Sequence, residues 1–197
     1  MYEKEFKNCK NENTKCTPYT LLRLFIDIIP NLPDKLLYLD IDIMFANDIK
    51  ILYDIDFEDA EYIAVPEKYA NLYISKNYIN AGVIFFNLPK IKETGLLKKS
   101  RELIKNKKLF FADQSAINKC TVRKKMIDRR FNEQHYKNFN REDTVVCHFC
   151  QRFIWWPWFK MVNIKQWQID DIHKYYKCYR FDKDLEEYLN LINEFDK

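Results

Sequence analysis

An α/β domain is what this sequence predicts, and three observations predict it. Apolar runs of strand length alternate with amphipathic runs of helix length along most of the chain. The run Ala81 to Leu88 (AGVIFFNL) is nearly all apolar, which suits a strand covered on both faces, as in a parallel or mixed sheet flanked by helices. Prolines rather than glycines bound several runs, at Pro30, Pro66 and Pro89. Together these imply a mixed, mostly parallel sheet with helices on its faces. At 197 residues the chain is long enough for one such core and too short for two ordinary ones.

The elements follow in order. Residues 1–16 are polar and charged and read as a disordered or loop lead-in. Thr17 is a helix cap, and Pro18 stands at the first helical position, where its missing N–H costs nothing. Leu21, Leu22, Phe25, Ile26 and Ile29 then recur at helical spacing until Pro30. Asn31 to Asp34 is a turn, and Lys35 to Leu39 is a short strand ended by Asp40-Ile41-Asp42. A short helix near Asp48 to Tyr53 precedes a strand at Glu61 to Val65, stopped by Pro66. After Ala81 to Leu88, Pro89 opens one amphipathic helix through Ile91, Leu96, Leu97, Leu103 and Ile104. Ala112 to Lys119 is a further helix. Met126 to Asp128 and Thr144 to Cys147 are short strands, and Asp184 to Phe195 is a closing helix. The division expected is a lead-in over 1–16, a core over 17–160 and a basic, aromatic helical region over 161–197. All 4 tryptophans (Trp155, Trp156, Trp158, Trp167) lie near that last boundary, among Lys160, Lys165, Lys174, Lys177 and Arg180.

Composition excludes several classes. With 47% hydrophobic, 31% charged and 16% aromatic residues, the chain is neither a disordered tail nor a low-complexity scaffold. Only 2 Gly leave no G-x-G-x-x-G or P-loop phosphate cradle. A net charge of +4 is modest for a nucleic-acid binder, so no nucleic-acid partner is expected. No apolar run is long enough to span a membrane, and the first residues lack the apolar core of a secretory signal. The 6 Cys form no regular framework and read as reduced thiols of a cytoplasmic protein.

The sharpest chemical feature is Asp40-Ile41-Asp42 at the carboxyl end of an apolar strand. In extended backbone, positions i and i+2 point the same way, so both carboxylates can converge on one hard cation, Mn²⁺ or Mg²⁺. D-x-D is also common in solvated acidic loops, which leaves both readings open. His148, after the Thr144–Cys147 strand, is a third candidate ligand or a hydrogen-bonded structural histidine. Cys147 and Cys150 form one C-x-x-C, too few ligands for structural zinc, and read as bystanders. Gly82, in Asn80-Ala81-Gly82, marks either a close approach to ligand or a plain turn. Asp113 and Gln114 open a helix, where a cap is the ordinary reading.

Taken together, these pieces resemble glycosyltransferase family 8, a group with bacterial lipopolysaccharide galactosyl- and glucosyltransferases among its members. Tyr19 to Leu24 (YTLLRL) is similar to that family's Y-x-R-L helix. Ile29-Pro30 with Asp34 to Asp42 (DKLLYLDID) resembles its P…DKVLYLDxD stretch. Asn80-Ala81-Gly82-Val83 with Asn87-Leu88 resembles its NAGV…NL strand, and Asp113-Gln114, Phe131-Asn132 and His148-Phe149 resemble its DQ, FN and H-Y/F motifs. The resemblance covers roughly Tyr19 to Trp158.

It implies a nucleotide-diphospho-sugar transferase (GT-A-like) fold and a retaining, metal-dependent transfer of glucose or galactose from a UDP-sugar. The acceptor implied is a glycan or lipid-linked glycan, with lipopolysaccharide as the type. Asp40, Asp42 and His148 would hold Mn²⁺ (or Mg²⁺) against the diphosphate. Arg23, Asn80, Ala81, Gly82 and Asp113 would bind the donor, and Gln114 would lie beneath the anomeric carbon. Two departures stand out. The family's H-x-x-G-x-x-K-P-W becomes His148 to Trp158 (HFCQRFIWWPW), with Gln151 for the glycine and Trp156 where lysine is expected, so Arg152 is the candidate replacement cation. Only 16 residues precede the first helix, fewer than a βαβ unit needs, so an amino-terminally truncated fold is expected. The competing reading is an inactive remnant or a glycan- or membrane-surface-binding module, with the basic, aromatic carboxyl-terminal region in peripheral contact with the inner membrane face.

Overall fold

In the computed structural model of the chain, residues 5–7, 9, 11, 18–135, 138–154 and 160–195 are described. Thr17, Trp155, Trp156 and Trp158 lie outside them. The chain divides into two compact units, Met1–Leu39 with Leu52–Asp128, and Asp40–Ile51 with Arg129–Lys197. This differs from the division expected at 160/161. A short stretch after the first strand belongs with the last third of the chain because it pairs there, as described below.

The first unit is built on a four-stranded sheet. Strands β1 (Lys35–Leu39), β3 (Tyr62–Pro66), β4 (Ile79–Asn87) and β5 (Lys124–Met126) lie in the order β1-β4-β3-β5. The sheet is mixed, but antiparallel pairings predominate: β4 runs antiparallel to both β1 and β3, and only β3–β5 is parallel. Burial on both faces, which suggested mostly parallel strands, follows from β4 being central and covered rather than from strand direction. Eight of its nine residues are buried.

Helical runs flank this sheet. Pro18–Ile28 is wound as a 3-10 helix, with Leu24 and Phe25 at most 1% exposed. A short helix α1 spans Lys68–Tyr73, a stretch in which no helix was expected. The single helix expected from Pro89 to Ile104 is two, α2 (Leu88–Thr94) and α3 (Leu96–Asn106). Gly95 separates them at φ +69°, the left-handed conformation that ends α2 and that glycine adopts without strain. Helix α4 (Ala112–Cys120) packs on β4, where Asn118 accepts from the Ile79 N–H at 2.8 Å and donates to its carbonyl at 3.0 Å. Within residues 1–16, Phe6 and Asn11 depart from the loose lead-in expected. Phe6 packs edge-on against Phe25 at 5.4 Å, and buried Asn11 donates to the Ile104 and Lys107 carbonyls and accepts from the Leu109 N–H.

The second unit has its own core of Phe139, Cys147, Phe149, Val162, Ile164, Ile172, Tyr176, Cys178, Phe181 and Leu185. Strand β2 (Ile43–Phe45) pairs antiparallel with β6 (Val146–His148). Strands β7 (Arg152–Ile154) and β8 (Lys160–Val162) form a hairpin that the apolar pattern does not announce. A short helix α5 (Ile169–Asp171) runs into a π-helical turn at Ile172–Tyr176, and α6 (Asp182–Phe195) closes the chain. Among the described residues, no helix is long and apolar enough to cross a membrane.

Candidate functional site

The second unit holds the cation-type cluster. Asp40, Asp42 and His148 each present a ligand atom, all within 4.8 Å of one another. Strand pairing brings them together. Ile43 lies opposite His148 in the β2–β6 ladder, and the Asp42 carbonyl accepts from the Phe149 N–H at 2.8 Å. His148 Nε2 stands 3.2 Å from Asp42 Oδ1 and 3.8 Å from Asp40 Oδ2. The Ile41 side chain between them is 89% exposed, so the two carboxylates share one side while the residue between them faces out. The convergence expected from i, i+2 spacing is present, although residues 40–42 form a bend between strands rather than extended backbone.

Neighbours orient these ligands. Fully buried Asn132 faces His148 Nδ1 through its Oδ1 at 2.9 Å. An amide oxygen there accepts from Nδ1–H and leaves Nε2 as the nitrogen that faces the carboxylates, the usual second partner of a ligating histidine. Asn132 is placed by a segment that shares the β6 edge: the Glu133 N–H donates to the Val146 carbonyl at 2.8 Å, and the His148 N–H donates to the Glu133 carbonyl at 3.0 Å. Lys165 Nζ donates to Asp42 Oδ2 and reaches the Phe149 carbonyl at 3.3 Å. Burial pushes the Asp42 carboxyl up, but the hydrogen bonds and charges of His148 and Lys165 outweigh it and hold the group far below the usual carboxylate range. Two hard carboxylate oxygens and one imidazole nitrogen, with Nε2 oriented towards the carboxylates, fit a divalent cation such as Mn²⁺ or Mg²⁺.

Two of these neighbours were not among the expected site residues, Asn132 of the FN motif and Lys165. No local pattern singles out Lys165, because the carboxylate it serves lies 123 positions back in the chain. Arg152, the candidate replacement cation, has its backbone in β7, and its side chain lies outside what is described.

The first unit holds the second group of expected residues, gathered at the start of β4. Asn80 Oδ1 accepts from the Gly82 N–H at 2.9 Å. Gln114 Oε1 accepts from the Ala81 N–H at 3.0 Å, so the amide oxygen expected beneath an anomeric carbon is engaged with the strand in this state. Arg23, 4% exposed, pairs with Asp113 Oδ2 at 2.9 Å. It also donates to the Ala81 and Thr20 carbonyls and lies 4.3 Å from the Tyr38 ring centroid. Arg23, Asn80, Ala81, Asp113 and Gln114 thus form one connected group. Its polar side chains are nearly all buried, as befits a preformed polar surface rather than a mobile loop.

Comparisons with known proteins bear on the family and the fold. The model of glycosyl transferase family 8 matches residues 1–162, beginning ahead of Tyr19 where the motif resemblance starts. A lipopolysaccharide 1,3-galactosyltransferase of Salmonella typhimurium is 29% identical over 153 residues, 68% of this chain and 45% of that protein. A lipopolysaccharide 1,2-glucosyltransferase of Escherichia coli is 28% identical, over 66% of this chain and 46% of that protein. The chain therefore spans about half the length of these curated relatives. Among solved structures, an active-site mutant of LgtC superposes with a TM-score of 0.70 at 19% identity, covering 98% of this chain and 72% of that one. GlyE of Streptococcus pneumoniae gives 0.61 at 18%, covering 87% and 45%. At these identities the likeness establishes the fold, that of the GT-A glycosyltransferases. With its first 162 residues matched by the family model, the chain belongs to glycosyl transferase family 8.

Proposed function

We propose that the chain carries the cation- and donor-sugar-binding residues of a retaining hexosyltransferase, which moves glucose or galactose from a UDP-sugar to a glycan or lipid-linked glycan of the lipopolysaccharide type. The observation that carries this reading is the Asp40, Asp42 and His148 cluster with Asn132 on the far nitrogen of the imidazole. A bound Mn²⁺ or Mg²⁺ supplies charge neutralisation to the UDP leaving group. The chain's own residues do the rest. Asp40 and Asp42 offer carboxylate oxygens, and Asn132 orients the His148 ring so that Nε2 faces them. Asn80 and Asp113 hydrogen-bond the hydroxyls of the donor hexose. Arg23 holds Asp113 and the Ala81 carbonyl in place for that contact. Gln114 turns its amide oxygen from the Ala81 N–H towards the positive charge that develops at the anomeric carbon. An amide is a poor nucleophile, and retaining hydrolases use two carboxyl groups about 5–5.5 Å apart, so transfer on one face of the sugar is the mechanism favoured.

The test is UDP binding and UDP-hexose turnover with Mn²⁺. Gln114→Ala should lower kcat by at least about tenfold, the scale of one lost charge-stabilising contact of about 1.4 kcal/mol, while donor affinity changes little. Loss of donor binding with kcat intact would sink that role. Lys165→Met should split two affinities. Removing its ammonium from Asp42 frees a carboxylate oxygen and tightens Mn²⁺ several-fold, while UDP binding weakens because a cation beside the diphosphate is gone. Calorimetric titration with each ligand reads both, and parallel changes would refute the assignment.

A second reading rests on the carboxyl-terminal surface. Trp167, Tyr175 and Tyr179 are exposed there beside Lys174, Lys177 and Arg180, a local basic and aromatic stretch of the kind that meets an anionic membrane face, flanked by Asp170, Asp171, Asp182 and Asp184. A cytoplasmic enzyme in peripheral contact with the inner membrane unites the two readings. Liposome binding without turnover would favour a surface-binding module instead.

A further inference from the structure

Gln166 carries a buried group that the reading above does not use. The residue is 3% exposed, and its Nε2 donates to the Ile41 carbonyl at 3.0 Å. That carbonyl belongs to the residue between Asp40 and Asp42. The partner settles which way the amide lies, since the reverse flip would press two acceptor oxygens together. Oε1 is therefore the remaining acceptor, buried, and no donor among the described residues reaches it. Buried acceptors are almost always satisfied, so one left open beside a ligand cluster points to a hydrogen-bond donor that arrives with the ligand.

The surrounding contacts give the residue a further task. The Ile41 side chain is 89% exposed and provides no apolar anchor for the Asp40–Asp42 bend. Polar grips anchor it instead. Phe149 N–H holds the Asp42 carbonyl, Lys165 holds the Asp42 carboxylate, and Gln166 holds the Ile41 carbonyl. Lys165 and Gln166 are themselves set by a tight turn, in which the Gln168 N–H donates to the Lys165 carbonyl at 3.0 Å and Gln168 Oε1 accepts from the Lys165 N–H at 2.9 Å. Two successive side chains of one turn thus grip two successive residues of the other.

We propose that Gln166 is a positioning residue of the cation site. Nε2 fixes the bend that presents Asp40 and Asp42, and Oε1 accepts an O–H from what binds there, water on the cation or a hydroxyl of the nucleotide. The proposal rests on the reading that Asp40, Asp42 and His148 bind a divalent cation.

Calorimetry on the full chain tests it with three probes: Mn²⁺ alone, Mn²⁺ with pyrophosphate, and Mn²⁺ with UDP. Wild type is compared with Gln166→Met, Gln166→Glu and Asp42→Asn, and thermal melting is recorded for each. Gln166→Met should weaken binding about tenfold or more, as loss of a residue behind a metal ligand does. Loss with every probe assigns the O–H to water on the cation, and loss with UDP only assigns it to the nucleotide. Gln166→Glu keeps an acceptor oxygen but gives up the Nε2 donation to the Ile41 carbonyl, so it should bind more weakly than wild type and recover only part of what Gln166→Met loses. A purely architectural Gln166 predicts the opposite order, because a carboxylate against the Ile41 carbonyl disturbs the bend more than an apolar isostere. Gln166→Met matching wild type with all three probes, or Gln166→Glu binding more weakly than Gln166→Met, overturns the proposal. If Asp42→Asn binds Mn²⁺ as wild type does, or wild type binds none, the cation reading itself fails and takes the proposal with it.

Discussion

Replacing Asp40 and Asp42 together by alanine is expected to abolish Mn²⁺ binding and to reduce UDP-hexose turnover on the order of 10³-fold. Charge neutralisation by a bound cation is worth several kcal/mol at the transition state, and each 1.36 kcal/mol is a factor of ten in rate. Both carboxylates face His148 Nε2, so their removal leaves one nitrogen ligand where a divalent cation needs several. The fold should survive, because the strands on either side of the bend keep their ladders: β1 pairs with β4, and β2 with β6. Asp42→Asn provides the gentler control, since it keeps an oxygen for the Lys165 ammonium. Mn²⁺ binding that persists in the double variant would place the cation elsewhere.

Glu61→Ala is expected to have the largest effect on stability. This carboxyl group is fully buried and collects four donors in the first unit. Oε1 accepts from the Thr94 hydroxyl, while Oε2 accepts from the Thr121 hydroxyl and from the N–H groups of Val122 and Arg123. It therefore ties the start of β3 to the end of α2 and to the turn that enters β5. The threonine hydroxyls can rotate to other acceptors, but the two backbone N–H groups cannot. Hydrogen bonds to a charged group are worth about 1.5–3 kcal/mol each, and these part-buried bonds all converge on one fully buried carboxylate, so a loss of roughly 3 kcal/mol or more is expected. For a chain of this length that lowers Tm by roughly 6–12 °C. A melt within about 2 °C of wild type would show that water replaces the carboxylate at that turn.

Much of the site is legible in the sequence because its residues stand in short local patterns. Asp40 and Asp42 end an apolar strand, His148 ends another, and Asn80-Ala81-Gly82 opens the longest apolar run. The chemistry of these side chains follows from residue type, and their placement at strand ends follows from where apolar runs stop. Strand direction is not legible, because parallel and antiparallel strands share the same two-residue period and a covered central strand reads alike in both. The break at Gly95 is marked by one of only two glycines, yet Leu96 and Leu97 continue the apolar face past it and the pattern masks the interruption.

The sequence by itself determined which groups are present: three candidate cation ligands, a DQ pair, and a family pattern that the family comparison bears out. Only the tertiary structure decided who serves them. Lys165 reaches Asp42 across 123 positions, and Gln166 reaches Ile41 across 125. Asn132 lies 16 residues from His148, and its motif alone assigns it no partner. No periodicity links such pairs, because a hydrogen bond between distant side chains depends on where the β2–β6 ladder and the hairpin before Lys165 fold back. Residue chemistry is written locally, whereas the positioning of that chemistry is a property of chain return, which exists only once the strands have paired.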